Sequence, residues 1–133
     1  MKLKSLEIST ACLVILDQIS KFISLKYFPE LVYKNYGSAF SMPINQTFVI
    51  LLSFLVIASC VYIFKKHSFK HEGFLVLMLG GTIGNLIDRI VFGYVIDFIN
   101  VGFWPVFNFA DVYLSLAVLY LFLSYFKQDE ITF

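Results

Sequence analysis

The sequence predicts an all-α membrane protein in which four helices cross the bilayer. Of its 133 residues, 59% are hydrophobic and only 14% are charged, whereas soluble domains are about half apolar and about a quarter charged. A soluble chain this short has too large a surface for its volume to bury so much apolar area. The net charge of +1 provides no field for binding a polyanion, so we also expect no nucleic-acid partner.

Four apolar segments provide the predicted helices, and we place them at roughly 6–28, 47–64, 73–92 and 109–126. At about 1.5 Å per residue, 18 to 21 residues extend ~27–32 Å, which matches a hydrocarbon core of about 30 Å. Lipid offers no hydrogen bonds to an open backbone, so these segments are predicted to be helices rather than strands. We interpret residues 1–133 as a single membrane domain.

The lysines predict how the helices are oriented. Six of them lie on the side of the two termini: Lys2, Lys4, Lys65, Lys66, Lys70 and Lys127. The opposite side has only Lys26 and Lys34. By the positive-inside rule, both termini are cytoplasmic, and the connections 29–46 and 93–108 face outside. These connections are rich in aromatic residues, which favour the membrane–water interface.

Two ionisable residues of the first helix, Asp17 and Lys21, are four residues apart. This spacing puts both side chains on one face, where they can pair. A charged group within a membrane span is energetically expensive and is therefore a candidate for function. Two interpretations stay open, namely a structural ion pair that faces the bundle or support for a site nearer the outer surface.

The third helix carries a polar cluster near its predicted outer end. Asn85, Asp88 and Arg89 have the spacing i, i+3 and i+4, so they share one face. Asp88 and Arg89 point about 100° apart, so each is expected to have another partner. Gly80 and Gly84 form a small-residue face that allows a neighbouring helix to approach closely. The alternative is a helix-end cluster that extends into the lipid headgroups.

Two further acids lie in or next to the second outer connection. Asp97 has apolar neighbours on both sides, which is unusual for a solvated loop. Asn108 is a predicted N-cap of the fourth helix, and Asp111 then falls at its N3 position, where an acid also complements the helix dipole. Two carboxylates held close together cannot both ionise easily, so one can act as general acid and the other as general base on water. Such a pair can hydrolyse a peptide bond without a metal.

Other chemistries have less support in the sequence. His67 and His71 lie in a lysine-rich connection, and zinc needs three or four ligands, so we interpret both as solvated. Ser20 and Lys21 are adjacent on a helix and point apart, which disfavours a Ser–Lys catalytic pair. The main alternative function is a small four-span transporter with Asp17 as a proton-coupled carboxylate. It predicts polar residues near the midplane, whereas most of them cluster at one end.

In these residues and their order, the chain resembles the lipoprotein signal peptidases (signal peptidase II), which are four-span bacterial aspartyl proteases. The resemblance covers nearly the whole chain. It rests on five blocks in the family's order: Asp17–Lys21, Asn35–Phe40, Gly84–Arg89, Gly93–Phe98 and Phe107–Asp111. The chain departs from the family's pattern at Ser41, where a glycine is usual, and in the short connection between the last two blocks.

The resemblance implies that Asp97 and Asp111 are the catalytic residues. It also implies a small β-cradle and an interfacial segment over the site, and no metal or organic cofactor. The supporting polar residues that it implies are Asp17, Lys21, Asn35, Asn85, Asp88, Arg89 and Asn108.

The substrate implied by the resemblance is a prolipoprotein whose lipobox cysteine carries diacylglycerol, cut just before that cysteine. The implied location is the bacterial cytoplasmic membrane, with the active site at its outer face. We expect a monomer surrounded by membrane lipids.

Overall fold

The computed structural model describes residues 3–39, 42–66 and 71–129. It contains four long helices: α1 (Leu3–Tyr27), α2 (Gln46–Lys66), α3 (Glu72–Phe92) and α4 (Phe109–Asp129). Within the described ranges, all four are long and apolar enough to cross a membrane. The predicted four-span helical architecture is therefore confirmed.

The helices extend further than the apolar segments that predicted them. α1 begins at Leu3 rather than near residue 6, and α2 continues past residue 64 to Lys66. The prediction followed hydropathy alone, whereas a membrane helix can carry polar residues at its ends. Cations there are favourable because the C-terminal end of a helix has a partial negative charge. α2 has Lys65 and Lys66 in its last turn, and α4 has Lys127.

α3 is the central helix of the bundle and packs against each of the other three. Its contacts depend on glycine, as the small-residue face predicted. A Cβ atom on Gly80 would lie 2.9 Å from Cβ of Leu13 in α1, and one on Gly81 would lie 2.6 Å from the carbonyl oxygen of Ala110 in α4. Side chains at these positions would push the neighbouring helices away, so the close packing requires glycine.

Short strands lie at the end of the bundle where α1 and α3 finish and α2 and α4 begin, which we call the site end. The strands are β1 (Tyr33–Asn35), β2 (Ser38–Ala39), β3 (Met42–Pro43) and β4 (Val95–Asp97). β2 pairs with β3, and β1 pairs antiparallel with β4, with Tyr33 opposite Asp97. These strands confirm the predicted small β-segment. Ser41, the departure from the family pattern, lies outside the described residues.

Gly93 directs the chain from α3 into β4. It adopts a left-handed conformation with φ of +78°, and its N–H donates to the carbonyl of Arg89. Glycine is the residue that most easily ends a helix in this way. β4 begins two residues later, and this places Asp97 beside the end of α3.

Candidate active site

Asp97 lies at the end of β4 and is 1% exposed. Two amide side chains bind its carboxylate, one to each oxygen. Asn108 Nδ2 donates to Oδ1 at 2.7 Å, and Asn35 Nδ2 donates to Oδ2 at 3.1 Å. The β1–β4 pairing positions Asn35 for this contact, because the two strands run side by side. The first connection of the chain therefore contributes directly to the site.

Asp111 lies in the first turn of α4 and forms a capping box with Asn108. The Asp111 N–H donates to Asn108 Oδ1 at 2.9 Å, and the Asn108 N–H donates to Asp111 Oδ2 at 3.1 Å. This reciprocal arrangement satisfies two backbone donors at the helix N-terminus. The other carboxylate oxygen of Asp111 accepts a bond from Asn85 Nδ2 at 2.9 Å. The cap thus fixes the orientation of this acid.

Asn108 connects the two acids. It is fully buried, and it contacts Asp97 through its side chain and Asp111 through its backbone N–H. Its Nδ2 also donates to Asn85 Oδ1 at 3.0 Å. Because one residue binds both carboxylates, the separation of Asp97 and Asp111 is set by a short chain of hydrogen bonds.

The pKa of Asp97 is raised to about 7, first by burial and then by the negative charge of Asp111. The hydrogen bonds from Asn35 and Asn108 and the charge of Lys21 oppose this shift, because they favour the ionised form. The net result is a carboxyl group that keeps its proton through mildly acidic pH. This pKa is suited to a general acid that works near neutrality.

Behind the two acids lies a buried ion cluster, in which Lys21 is shared by two carboxylates. Lys21 Nζ lies 2.7 Å from Asp17 Oδ2 and 2.8 Å from Asp88 Oδ2, and all three side chains are at most 1% exposed. Lys21 also donates to Asn85 Oδ1 at 3.1 Å. The spacing of Asp17 and Lys21 indicated their pairing, whereas nothing in the sequence indicated that Asp88 shares this lysine.

Each acid of this cluster also accepts a backbone N–H from a segment that carries a predicted catalytic residue. Asp17 Oδ1 accepts the Ala110 N–H at 2.9 Å, and Asp88 Oδ2 accepts the Ile96 N–H at 3.1 Å. The ion cluster is therefore connected to both segments.

Gln18 also belongs to the site, although it is not among the predicted site residues. Its Nε2 donates to Asp88 Oδ1 at 3.0 Å and to the Gly84 carbonyl at 3.1 Å. A signal was available, because Gln18 is an uncharged polar residue inside a membrane span and lies next to Asp17. Such a residue usually faces the interior of a bundle.

Arg89 is the least constrained of the predicted site residues. Its Nη1 donates to the Asn85 carbonyl at 3.3 Å, and its buried Nε has no hydrogen-bond partner among the described residues. Its charge interacts with Asp111, Asp88 and Asp97. Among the described residues, no group accepts two hydrogen bonds from its planar guanidinium, and the second partner predicted for Arg89 is not found there.

The nine predicted site residues come together at the site end. Eight of them belong to one network of hydrogen bonds and ion pairs, and Arg89 joins it through the Asn85 carbonyl. His71 lies before α3 at the opposite end of the bundle, where its ring packs edge-on against Tyr120. His67 lies outside the described residues.

The fold and the site together define a multi-span membrane protein in which a buried carboxylate, Asp97, is linked to a half-buried one, Asp111, at one end of the bundle. The sequence profile of the family described as signal peptidase (SPase) II matches residues 9–127. The chain belongs to this family of peptidases.

Individual relatives agree with this assignment. The chain is 33% identical to the lipoprotein signal peptidase of Thermodesulfovibrio yellowstonii, with 90% of this chain and 92% of the relative covered. It is 38% identical to that of Caldicellulosiruptor bescii, over 86% and 85% of the two chains. A solved structure described as a bacterial membrane enzyme superposes with a TM-score of 0.79 at 24% identity, over 96% of this chain and 90% of that one. This last similarity supports the fold.

Proposed function

We propose that this protein is an aspartic endopeptidase that removes the signal peptide from diacylglyceryl-modified prolipoproteins by cutting just before the lipidated cysteine. Family membership and the names of the relatives support the substrate class. The observation that carries the aspartic chemistry is that Asp97 and Asp111 are both bound to Asn108. The proposed site uses no metal or organic cofactor.

In the proposed reaction, Asp111 is the general base and Asp97 the general acid. Asp111 lies at a helix N-terminus, which favours its negative charge. Asp97 has a pKa raised to about 7 and so carries the shared proton. Asp111 takes a proton from a water molecule, the water oxygen attacks the scissile carbonyl carbon, and Asp97 gives its proton to the carbonyl oxygen.

The resulting tetrahedral diol then breaks down and restores the dyad. Asp97 takes back a proton from one hydroxyl of the diol as the carbonyl re-forms. Asp111 gives its proton to the departing amide nitrogen, and the C–N bond breaks. The products are a carboxylic acid at the end of the signal peptide and a free amine on the lipidated cysteine. No covalent enzyme intermediate is needed.

The asparagines hold the two acids in place, and we assign Arg89 a contact with the substrate or a lipid. Arg89 Nε is buried and has no partner in the described part of the chain. An oxygen-rich group, such as a substrate carbonyl or a lipid phosphate, would satisfy it.

We further propose that the site end faces the outside of the bacterial cytoplasmic membrane, with both termini in the cytoplasm. The lysine distribution supports this orientation. Large aromatic side chains are exposed at the site end, including Tyr36, Phe103 and Trp104, and aromatic rings favour the headgroup layer. Reporter fusions after Lys127 should behave as cytoplasmic, and fusions within residues 29–46 as exported. The reverse pattern would contradict the orientation.

The transporter alternative has less support from the geometry. Both oxygens of Asp17 are engaged, Oδ2 by Lys21 and Oδ1 by the Ala110 N–H. A carboxylate held in this way is poorly placed to bind and release a transported ion.

The test is a cleavage assay with purified protein and a diacylated prolipoprotein, followed by gel shift and by mass spectrometry of the new N-terminus. The wild-type protein should cut the lipidated substrate before the modified cysteine, and Asp97→Asn should leave it intact. Glu7→Gln, in an exposed acid at the far end of α1, is the matched control and should retain activity. Cleavage by Asp97→Asn at the wild-type rate would refute the proposed chemistry.

A further inference from the structure

We propose that Asp17, Lys21 and Asp88 form a buried clamp that sets the distance between two catalytic segments, residues 94–98 with Asp97 and residues 107–111 with Asp111. Asp88 binds the first segment, and Asp17 binds the second. This role rests on the proposed function of Asp97 and Asp111. The three clamp residues do not touch the reacting groups in this arrangement. They act as positioning residues through the backbone.

In each segment, the clamp binds the backbone N–H of the residue just before the catalytic aspartate. Asp88 accepts the N–H of Ile96, the residue immediately before Asp97, and Asp17 accepts the N–H of Ala110, the residue immediately before Asp111. Both bonds are buried. A bond to the preceding backbone amide fixes where the next Cα lies, while leaving the catalytic carboxylate free for its own partners.

Lys21 connects the two carboxylates of the clamp, because it forms an ion pair with each of them. Its ammonium lies 2.7 Å from Asp17 and 2.8 Å from Asp88, so the two acids are kept within reach of a single cation. Lys21 also donates to Asn85, whose amide donates to Asp111. Burying three charges contributes little net stability, because desolvation offsets much of the attraction. The geometry that they impose is a better explanation of the cluster than stability.

Gly84 leaves the space that the Asp17 carboxylate occupies in the clamp. A Cβ atom at this position would lie 2.6 Å from Asp17 Oδ2 and 3.3 Å from Cβ of Ala110. A methyl group there would therefore displace the Asp17 carboxylate and the Ala110 segment together. Gly73, at the far end of α3, has room for a side chain, because an added Cβ would lie 3.9 Å from Cε2 of Tyr120.

The two glycines provide a matched test that changes no charge. Gly84→Ala should lower kcat about 10- to 100-fold with KM changed less than twofold, because a shift of about 1 Å in catalytic geometry has an effect of that size. Gly73→Ala is the control and should keep kcat near the wild-type value when rates are normalised to folded protein. Equal kcat values for the two variants would overturn the clamp.

A second test needs no substrate and measures hydrogen–deuterium exchange of the backbone amides in lipid nanodiscs. Asp17→Ala should raise exchange in residues 107–111 more than in 94–98, and Asp88→Ala should do the reverse. Asp17→Asn and Asp88→Asn keep an acceptor oxygen, so each should retain more protection and more kcat than its alanine counterpart. Equal exchange in both segments for both alanine variants would refute the assignment of one carboxylate to each segment.

The outcomes for the clamp and for the proposed function are separable. If Asp97→Asn is inactive but Gly84→Ala has a normal kcat, the clamp is wrong and the catalytic assignment stands. If Asp97→Asn is active, the catalytic assignment is wrong, and the segment-specific exchange still decides whether the clamp exists.

Discussion

The two halves of α3 are both buried, but they are held by different interactions. In the half far from the site, Leu75 and Leu79 pack against Leu6 of α1 and Cys60 of α2. In the half next to the site, Asn85 and Asp88 lie in a network of charged and amide groups. One half contacts its neighbours through apolar surfaces, and the other through polar atoms at fixed distances.

This difference indicates how each half responds to change. Apolar packing tolerates side chains of similar volume, since no single atom pair is essential. Hydrogen-bonded charges tolerate little, because a lost partner leaves a buried polar group unsatisfied. Truncations in the apolar half should therefore change stability, whereas substitutions in the polar half that keep a hydrogen-bonding group should mainly change catalysis. Substitutions in or next to each half of α3 can test this separation, and the largest effect is expected at Asp111.

Asp111→Asn should lower the cleavage rate about 10²- to 10⁴-fold, the usual contribution of a general base. The melting temperature in the same detergent should change little, because asparagine can still accept the N–H of Asn108 and cap α4. The measurement is the initial rate on a diacylated prolipoprotein together with a thermal melt. A stability loss that accounts for the whole loss of activity would contradict the separation.

Leu75→Ala should have the opposite signature. Leu75 is fully buried, and its truncation leaves a cavity that should destabilise the protein by about 2–3 kcal/mol, the lower part of the range for buried leucines. The lower part applies because lipid solvates exposed leucine well, so packing provides most of the stabilisation. The kcat per folded molecule should stay near the wild-type value. Leu119→Ala, in a leucine that is 49% exposed, is the control and should melt close to wild type.

The same contrast explains how much the sequence alone could predict. Hydropathy is a property of each segment, so it located all four helices. The reciprocal cap of Asn108 and Asp111 is also local, and the residue pattern indicated it. The Lys21–Asp88 pair joins two helices, and its formation depends on how closely α1 approaches Gly84. The pairing of Tyr33 with Asp97 is equally long-range. No local pattern contains such distances, although the family resemblance placed these residues at one site.

The pH dependence of activity tests the polar half at a single group. Asp97 must be protonated to act as the acid, so kcat/KM should fall as pH rises through about 7. Asn35 donates to the Asp97 carboxylate and favours its ionised form. Removing that bond in Asn35→Ala should therefore move the alkaline limb to higher pH. Profiles between pH 5 and 9 for both proteins measure the shift, and a shift to lower pH would contradict the role of Asn35.

The same raised pKa has a consequence for stability. Because the folded state holds the Asp97 proton more tightly than the unfolded chain, the contribution of this group to the free energy of unfolding is largest below pH 4. It declines as pH rises from about 4 to about 7. Asp97→Asn should remove this dependence, and melts across that range would show it.

The smallest predicted effect concerns Arg89, the only arginine of the chain. Arg89→Lys keeps the charge but cannot reproduce the planar fork, so it should lower the cleavage rate by about tenfold if Arg89 binds an oxygen-rich group at two points. Arg89→Ala should lower it further. Because Arg89 makes only one hydrogen bond in the described part of the structure, neither variant should lower stability by more than about 1 kcal/mol, a typical net value for one bond. Rates and melting temperatures measured in the same detergent distinguish a two-point contact of Arg89 with an oxygen-rich group from simple extension of its side chain to the lipid headgroups. Full activity of Arg89→Lys would show that Arg89 only extends to the headgroups, and it would leave the assignment of Asp97 and Asp111 unchanged.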